Sequence, residues 1–303
     1  MDFDKLDEAK INEFRDKFKQ KEITDEPIYH YTSLEALKNI LHTNTLWATN
    51  CEYTNDLLEL KDFERLINEQ LSSKIEDIKL FYIVQKALLE GMQFLRKKTF
   101  LISFSMDIDK AMWKNYGKNG IVIEFDNKKM LKILSTENCI INKDNESKHI
   151  ILEHKQFARV LYDDEKIIDY FTFSRNLLKL CNSIGNQDEK DGYINNILKN
   201  LLNTLFGIYF LKKDMNFSYE KEIRMVFVIN NDEINKIENF RIKNNLIIPY
   251  ISLIFKENRC IPIKKIIINP ENKDEMYKDG LKSLLMAYNY DIPIIESKSK
   301  VRF

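Results

Sequence analysis

The feature that most restricts the fold is an uneven spacing of strand-like segments. Short apolar runs recur at 28–31 (IYHY), 45–49 (TLWAT), 99–107 (TFLISFSMD), 119–126 (NGIVIEFD) and 157–165 (FARVLYDDE). Four more follow at 222–230 (EIRMVFVIN), 246–255 (LIIPYISLIF), 263–270 (IKKIIINP) and 292–297 (IPIIES). Between them lie helical stretches of very unequal length. Residues 56–98 keep a helical period long enough for two helices, and 165–212 for two more around the polar loop GNQDEKDG. A doubly wound parallel sheet needs helices interleaved one per strand, so this spacing predicts an α+β fold instead. No repeat or linker interrupts it, and a single domain over 1–303 is expected.

Local signals sharpen the first part. Residues 1–22 place Leu6, Ile11, Phe14 and Phe18 near helical spacing. Pro27 then introduces the strand Ile28 to Tyr31. Thr32 with Glu35 three residues on reads as a capping box, and Leu34, Leu37, Ile40 and Leu41 form one face of the following helix, which ends near Asn44. Residues 138–150 (NCIINKDNESKHI) read as a polar stretch.

Charge and composition exclude some partners. The 47 basic and 47 acidic side chains cancel, so no global field recruits nucleic acid or an anionic membrane. The four cysteines are far apart and form no CxxC pair, which argues against zinc or disulfides and predicts reduced thiols in the cytoplasm. The first residues lack an apolar signal core, and no run approaches the roughly 20 apolar residues of a membrane span. Neither GxGxxG nor GxxxxGK[ST] is present, so a nucleotide would have to be held without those loops.

Three segments place polar groups on or at the mouth of apolar strands. In YHYTS, His30 points opposite to Tyr29 and Tyr31, and a core histidine with one hydrogen bond is the ordinary role for such a residue. In ISFSMD, Ser103 and Ser105 share one side of a strand, with Ile102 and Phe104 on the other; the alternative is a half-exposed edge strand. In YEKEIRMVFV, Glu220 and Glu222 stand two apart before Arg224, which suits either a pair of carboxylates over one cleft or a charged strand end. Trp113 and Tyr116 are spaced to share a helix face, as ring-stacking or as core residues. Asn55, Asp56 and Glu59 in NDLLE suit helix capping.

Taken together, an early-strand histidine, a Ser-x-Ser strand and a late Glu-x-Glu resemble the ADP-ribosyltransferase superfamily. IYHYTSLEALKNILHTNTLWA is similar to the opening of the toxins that modify DNA bases and of the histidine-type transferases. More closely, LWATNCEYTNDLLE, FSMDIDKAMWKNYGKNGIVIEF, ARVLYDDE and FSYEKEIRMVF resemble the bacterial family DUF2971 over most of 28–270, although Leu57 stands where that family usually has proline. No helical tyrosine matches the middle member of a His-Tyr-Glu triad, so Ser103 or Ser105 would fill that role, or Trp113 and Tyr116 would supply the ring.

The resemblance implies a split β-sandwich of ADP-ribosyltransferase type. Its core would cover about 28–127 and 157–296, with helical insertions at about 56–98 and 165–212. It implies NAD as a substrate, no metal, and transfer of ADP-ribose to a protein or nucleic-acid acceptor. Glu222 would stabilise the oxocarbenium-like ribose and Glu220 would position or deprotonate the acceptor. His30 would bind the adenosine-side ribose, its tautomer fixed by a backbone carbonyl or a serine hydroxyl. Tyr31, Ser103, Ser105, Trp113 and Tyr116 would line the cofactor side, with Trp113 or Tyr116 stacking on nicotinamide. Arg224 would bind pyrophosphate or pair with Glu220. Such an activity suits a toxin or phage-defence effector, with an antitoxin or other regulatory partner. The alternatives are an NAD hydrolase, a non-catalytic nucleotide- or partner-binding module, and a protein whose helical insertions contact nucleic acid.

Overall fold

The structure is a computed structural model describing residues 26–54, 59–74, 78–117, 120–135, 139–143, 146–148, 152–165, 205–255, 260–269 and 274–298, with isolated positions between 167 and 195. The expected helix at 1–22, Asn55 and Asp56 of NDLLE, and most of the helical stretch 165–212 lie outside the described residues.

In chain order the elements begin with β1 (Ile28–Thr32), α1 (Leu34–Thr43) and β2 (Thr45–Asn50). Next come α2 (Glu59–Lys74), α3 (Ile78–Lys98), β3 (Thr99–Ser105), α4 (Lys110–Tyr116), β4 (Ile121–Phe125) and α5 (Asn127–Ser135). Strands β5 (Cys139–Lys143), β6 (Glu146–Lys148), β7 (Leu152–Arg159) and β8 (Glu222–Ile229) follow, with a 3-10 helix at Met215–Glu220 before β8. The chain continues through α6 (Asn231–Ile237), β9 (Asn239–Lys243), β10 (Leu246–Phe255), β11 (Ile263–Ile268), α7 (Glu275–Ala287) and β12 (Ile294–Glu296).

Contacts divide the chain into two compact units. Among the described residues, one comprises segments within Asn55–Lys97 and Val160–Met215, and the other holds all twelve strands. In the helical unit, Phe63, Ile67, Leu88, Met92, Leu205 and Tyr209 are buried, and the Tyr209 hydroxyl meets both Arg96 and Glu64. A pocket in this unit is bordered by Asp62, Arg65, Glu69, Asp164, Lys212 and Asp214, where opposite charges pair off: Lys212 lies 2.8 Å from Asp164 and Arg65 3.2 Å from Glu69.

The other unit is mixed α/β, built on a large, open, mostly antiparallel sheet. Its path runs β12-β11-β4-β1-β3-β2-β10-β5-β6, with β8 and β7 branching from β3 and β9 from β10. Among the described strands, β11 and β12 are the one parallel pair. The decisive feature is β3. Strand β8 pairs with it along its whole length, from Thr99↔Val228 to Ser105↔Glu222. That occupies one edge, so β1 and β2 must share the other. They do so at opposite ends, β1 at Tyr29↔Ser105 and β2 at Thr49↔Leu101 and Asn50↔Phe100. The sheet therefore forks along β3.

Directly opposed residues project to the same face, so the register sorts side chains. One face carries Ile28, Phe100, Ile102, Phe104, Ile123, Ile223, Met225, Ile251 and Ile266, all in one buried core. Leu37 and Leu41 of α1, Met130 of α5, Ile237 of α6 and Leu281 and Leu285 of α7 cover it. The other face is mixed: Trp113 of α4 packs on Val122 and Ile267, with Tyr29, Tyr31 and Ile108 against them.

Several local expectations shift. The cap of α1 is Ser33, whose hydroxyl accepts from the Ala36 amide at 3.1 Å, so the Thr32–Glu35 capping box does not form in that register. Asn44 ends the helix in the left-handed region at φ 51°. The polar stretch after α5 contains β5 and β6. Strand β9 pairs with β10 through Asn244 and Asn245, both left-handed (φ 50° and 61°), as a two-residue hairpin turn demands.

The junction that aligns β1 with β4 is tight at Gly120, where an added Cβ would stand 2.2 Å from the Thr32 carbonyl oxygen. Gly120→Ala is therefore expected to lower stability by about 1–3 kcal/mol, as overpacking against rigid backbone does. An unchanged urea midpoint would contradict this packing.

Candidate functional site

The polar residues singled out in the sequence converge on three neighbouring strands. Strand β3 lies between β1 and β8, and one cross-strand row reads Lys265, Glu124, Tyr29, Ser105, Glu222 across β11, β4, β1, β3 and β8. Two residues along β3 and β8, Ser103 faces Arg224. These side chains share the mixed face. His30, one residue beyond Tyr29, leaves by the core face, where its ring lies 5.8 Å from that of Phe104. The Ser-x-Ser and Glu-x-Arg pairs are thus direct neighbours, and the imidazole stands on the opposite side of the sheet from their side chains.

His30 occupies the fork. Its Nδ1 donates to the Ser103 carbonyl at 3.0 Å, on a stretch of β3 between its contacts with β1 and β2. A carbonyl only accepts, so the proton sits on Nδ1 and the neutral ring keeps a lone pair on Nε2. Burial lowers the imidazole pKa from its ordinary 6.5, partly opposed by the Ser103 carbonyl. The side chain is half-buried, so desolvation and access coexist.

The two serines differ. Ser103 is exposed. Ser105 is buried, and its hydroxyl lies 2.8 Å from the Asp107 carbonyl and 2.7 Å from that of Glu220 while accepting from the Asp107 amide at 3.1 Å. Since a hydroxyl has one proton, it divides its donation between the carbonyls and ties the end of β3 to the 3-10 helix before β8. Lys221, left-handed at φ 43°, reinforces this corner through an ion pair with Asp107 at 2.7 Å. The lysine ammonium holds the Asp107 carboxyl below its usual range.

Glu222 and Arg224 form a two-point ion pair, Nε to Oε1 at 2.8 Å and Nη2 to Oε2 at 3.1 Å, with both side chains only 5% exposed. Arg224 thus pairs with Glu222, where the sequence suggested Glu220 or a pyrophosphate. Glu220 is also buried and accepts from the Tyr116 hydroxyl at 2.8 Å. Tyr116 remains partly exposed. Its expected ring partner Trp113 does not: it is fully buried, donates from Nε1 to Ser297 Oγ at 3.1 Å, and meets Tyr31 edge-on at 5.5 Å. Trp113 therefore works as core in this structure, and its ring is closed to a stacking ligand. The Tyr31 hydroxyl is buried, and desolvation drives its pKa upward.

Sequence reasoning passed over Tyr29, Glu124, Asp107 and Lys221. Glu124 is 1% exposed and is held by Lys265 at 2.7 Å and Lys264 at 3.2 Å. Tyr29 stands opposite it, with its phenol pushed up to about 12 by burial first and by the Glu124 and Asp107 charges next. It remains a neutral donor at ordinary pH. The available signal was a lone charge inside the apolar run IVIEF. As a whole, the mixed face sets hydroxyl groups beside partnered carboxylates. Among the described residues, no group of His, Cys, Asp and Glu is placed to hold a metal ion.

Two outcomes follow from this geometry. Arg224→Met leaves a buried carboxylate without its guanidinium and is expected to cost about 3–5 kcal/mol, while adding Glu222→Gln recovers much of that loss; equal urea midpoints for the single and double variants would refute the coupling. For His30, the unfolded chain takes up a proton as pH falls through 6.5 while the folded chain resists it. Stability should therefore fall from about pH 6.5 down to the depressed folded value and then level off. His30→Gln should flatten that slope in denaturation midpoints measured across the range.

A family model described as a protein of unknown function, DUF2971, matches residues 112–225. The match takes in Trp113, Tyr116, Glu220, Glu222 and Arg224, and stops short of His30, Ser103 and Ser105. No curated protein and no solved structure matches the chain. The likeness to DUF2971 thus covers under half of the chain and takes in the late half of the site directly.

Proposed function

We propose that the sheet unit is an NAD-consuming site of ADP-ribosyltransferase type, on a sheet whose fork at β3 corresponds to the division of a split sandwich. The observation that carries this reading is the adjacency of β1, β3 and β8, which aligns Tyr29, Ser105 and Glu222 in one row although they are far apart in the chain. Breaking the bond between nicotinamide and ribose develops positive charge on the sugar. A carboxylate held in place near that charge favours the transition state over ground-state NAD. Glu222 has that role. Its contacts to Arg224 hold it in one orientation, and binding of the dinucleotide would draw the guanidinium toward the pyrophosphate. Glu220, tethered by Tyr116, would serve the acceptor.

A second reading is favoured by the same ion pair. A carboxylate engaged at both oxygens and 5% exposed suits a binding module that holds a nucleotide without cleaving it.

One experiment separates the two. Incubation with NAD labelled in the nicotinamide should release the free base, and Glu222→Gln should slow release by about 10²–10³-fold, the usual weight of one electrostatic group in a transition state. Circular dichroism of the variant establishes that it remains folded. A rise in melting temperature with NAD but no release would establish the binding module instead. Intact NAD with no thermal shift would remove both.

A further inference from the structure

A second polar constellation lies on the mixed face at the β2–β10–β9 end of the sheet. Trp47 of β2 and Tyr250 of β10 stack with centroids 4.4 Å apart at 31°. Arg241 of β9 lies over both rings, 5.8 Å from the Trp47 centroid and 6.0 Å from that of Tyr250. The register explains the meeting. Ser252 opposes Trp47, Tyr250 opposes Thr49, and Ile248 opposes Arg241, so all these side chains leave by one face. Thr49 in turn opposes Leu101, which places the cluster on the same face as Ser103, Ser105 and Glu222.

The electrostatics of Arg241 are unusual. Its Nη2 donates to Thr49 Oγ1 at 2.8 Å, its Nε is buried with no partner, and among the described residues no carboxylate pairs with it. Arg224, Lys212 and Arg96, by contrast, each have a carboxylate neighbour. A half-buried guanidinium with an unsatisfied N–H loses hydration without a full replacement, and the aromatic rings offset only part of that cost. Burial accordingly works against its charged form. An anion beside the guanidinium would supply the counter-charge that the rings and the Thr49 hydroxyl do not. Lys243, two residues along on the same face of β9, is exposed and adds a second positive charge. Trp47 and Tyr250 are both half-buried, so the ring stack keeps open surface.

We propose that Trp47, Tyr250 and Arg241 form a binding site for a nucleotide unit, an aromatic base stacking on the rings with its phosphate taken by the guanidinium. Rings supply stacking that any base can use, and the planar fork of arginine fits phosphate oxygens. The same chemistry is offered by a free mononucleotide and by a nucleotide within a single strand. The site does not rest on cleavage of NAD by the carboxylate row, and NAD is not its probe.

The chain has two tryptophans, and Trp113 is fully buried, so Trp47 reports on this surface. Tryptophan emission is followed during titration with AMP, adenosine, ribose 5-phosphate and a short single-stranded oligonucleotide. AMP should quench saturably, with adenosine and ribose 5-phosphate each at least about tenfold weaker because each lacks one of the two contacts. Arg241→Gln should weaken AMP by about the same factor, leave adenosine unchanged, and keep a folded circular dichroism spectrum. Trp47→Phe should remove the responsive part of the emission. Quenching by the oligonucleotide at lower concentration than by AMP assigns the unit to a single strand; the reverse order assigns it to a free nucleotide. Failure of AMP and oligonucleotide alike to quench saturably, or undiminished quenching in Arg241→Gln, overturns the site and leaves Arg241 as a clamp holding the β9–β10 hairpin to β2.

Discussion

One edge of β3 serves two strands, and a main-chain carbonyl between them must still find a donor. Backbone carbonyls are strong acceptors, and nearly all of them pair with backbone, a side chain or water. Here a side chain supplies the missing partner: the His30 imidazole takes the Ser103 carbonyl where strand pairing lapses. That contact stands at the point from which β1 and β2 part. Beside it Tyr29, Ser105 and Glu222 stand directly opposite one another, placed by the pairing of β1 and β8 with β3.

Around that fork, charge is placed in pairs. Glu222 with Arg224, Asp107 with Lys221, and Glu124 with Lys264 and Lys265 each join an acid to a base on the mixed face or its rim. A buried pair such as Glu222 with Arg224 contributes less to stability than its attraction suggests, because each ion gives up its hydration, and exposed pairs such as Asp107 with Lys221 contribute little. Their stronger effect is to hold side chains in one geometry. Against this pattern Arg241 stands out, as a cation supported by two rings and a hydroxyl.

Much of the architecture was readable from residue order. The strands at 222–230 and 263–270 are apolar runs broken only near their starts by Glu222, Arg224, Lys264 and Lys265, and the structure buries β8 throughout. The helix 34–43 was readable from Leu37 and Leu41, but its cap was displaced by one residue, because Ser33 as well as Thr32 offers a hydroxyl and only the backbone turn decides between them. Strands β5 and β6 were hidden in a polar stretch, since they are held by pairing with β10 and with each other rather than by apolar alternation. For the site, Glu222, Ser105 and Glu220 were visible as polar residues beside apolar runs. Trp113 was visible too, but its spacing to Tyr116 is equally that of a core residue, and packing on Val122 and Ile267 made it one.

By itself the sequence determined an α+β chain with strands separated by unequal helical stretches, because hydrophobic period and helix capping act over a few residues and need no distant partner. It also determined that Ser103 and Ser105, like Tyr29 and Tyr31, share a side of their strands, since alternation is a local property of extended backbone. Only the tertiary structure decided which strands are neighbours, which face each pair occupies, and that His30 and Glu222 leave their strands on opposite sides of the sheet. Those outcomes depend on pairing register between segments as far apart as 105 and 222. A register is chosen by the sum of burial across the whole sheet, and a slip of one residue would reverse every side chain it carries.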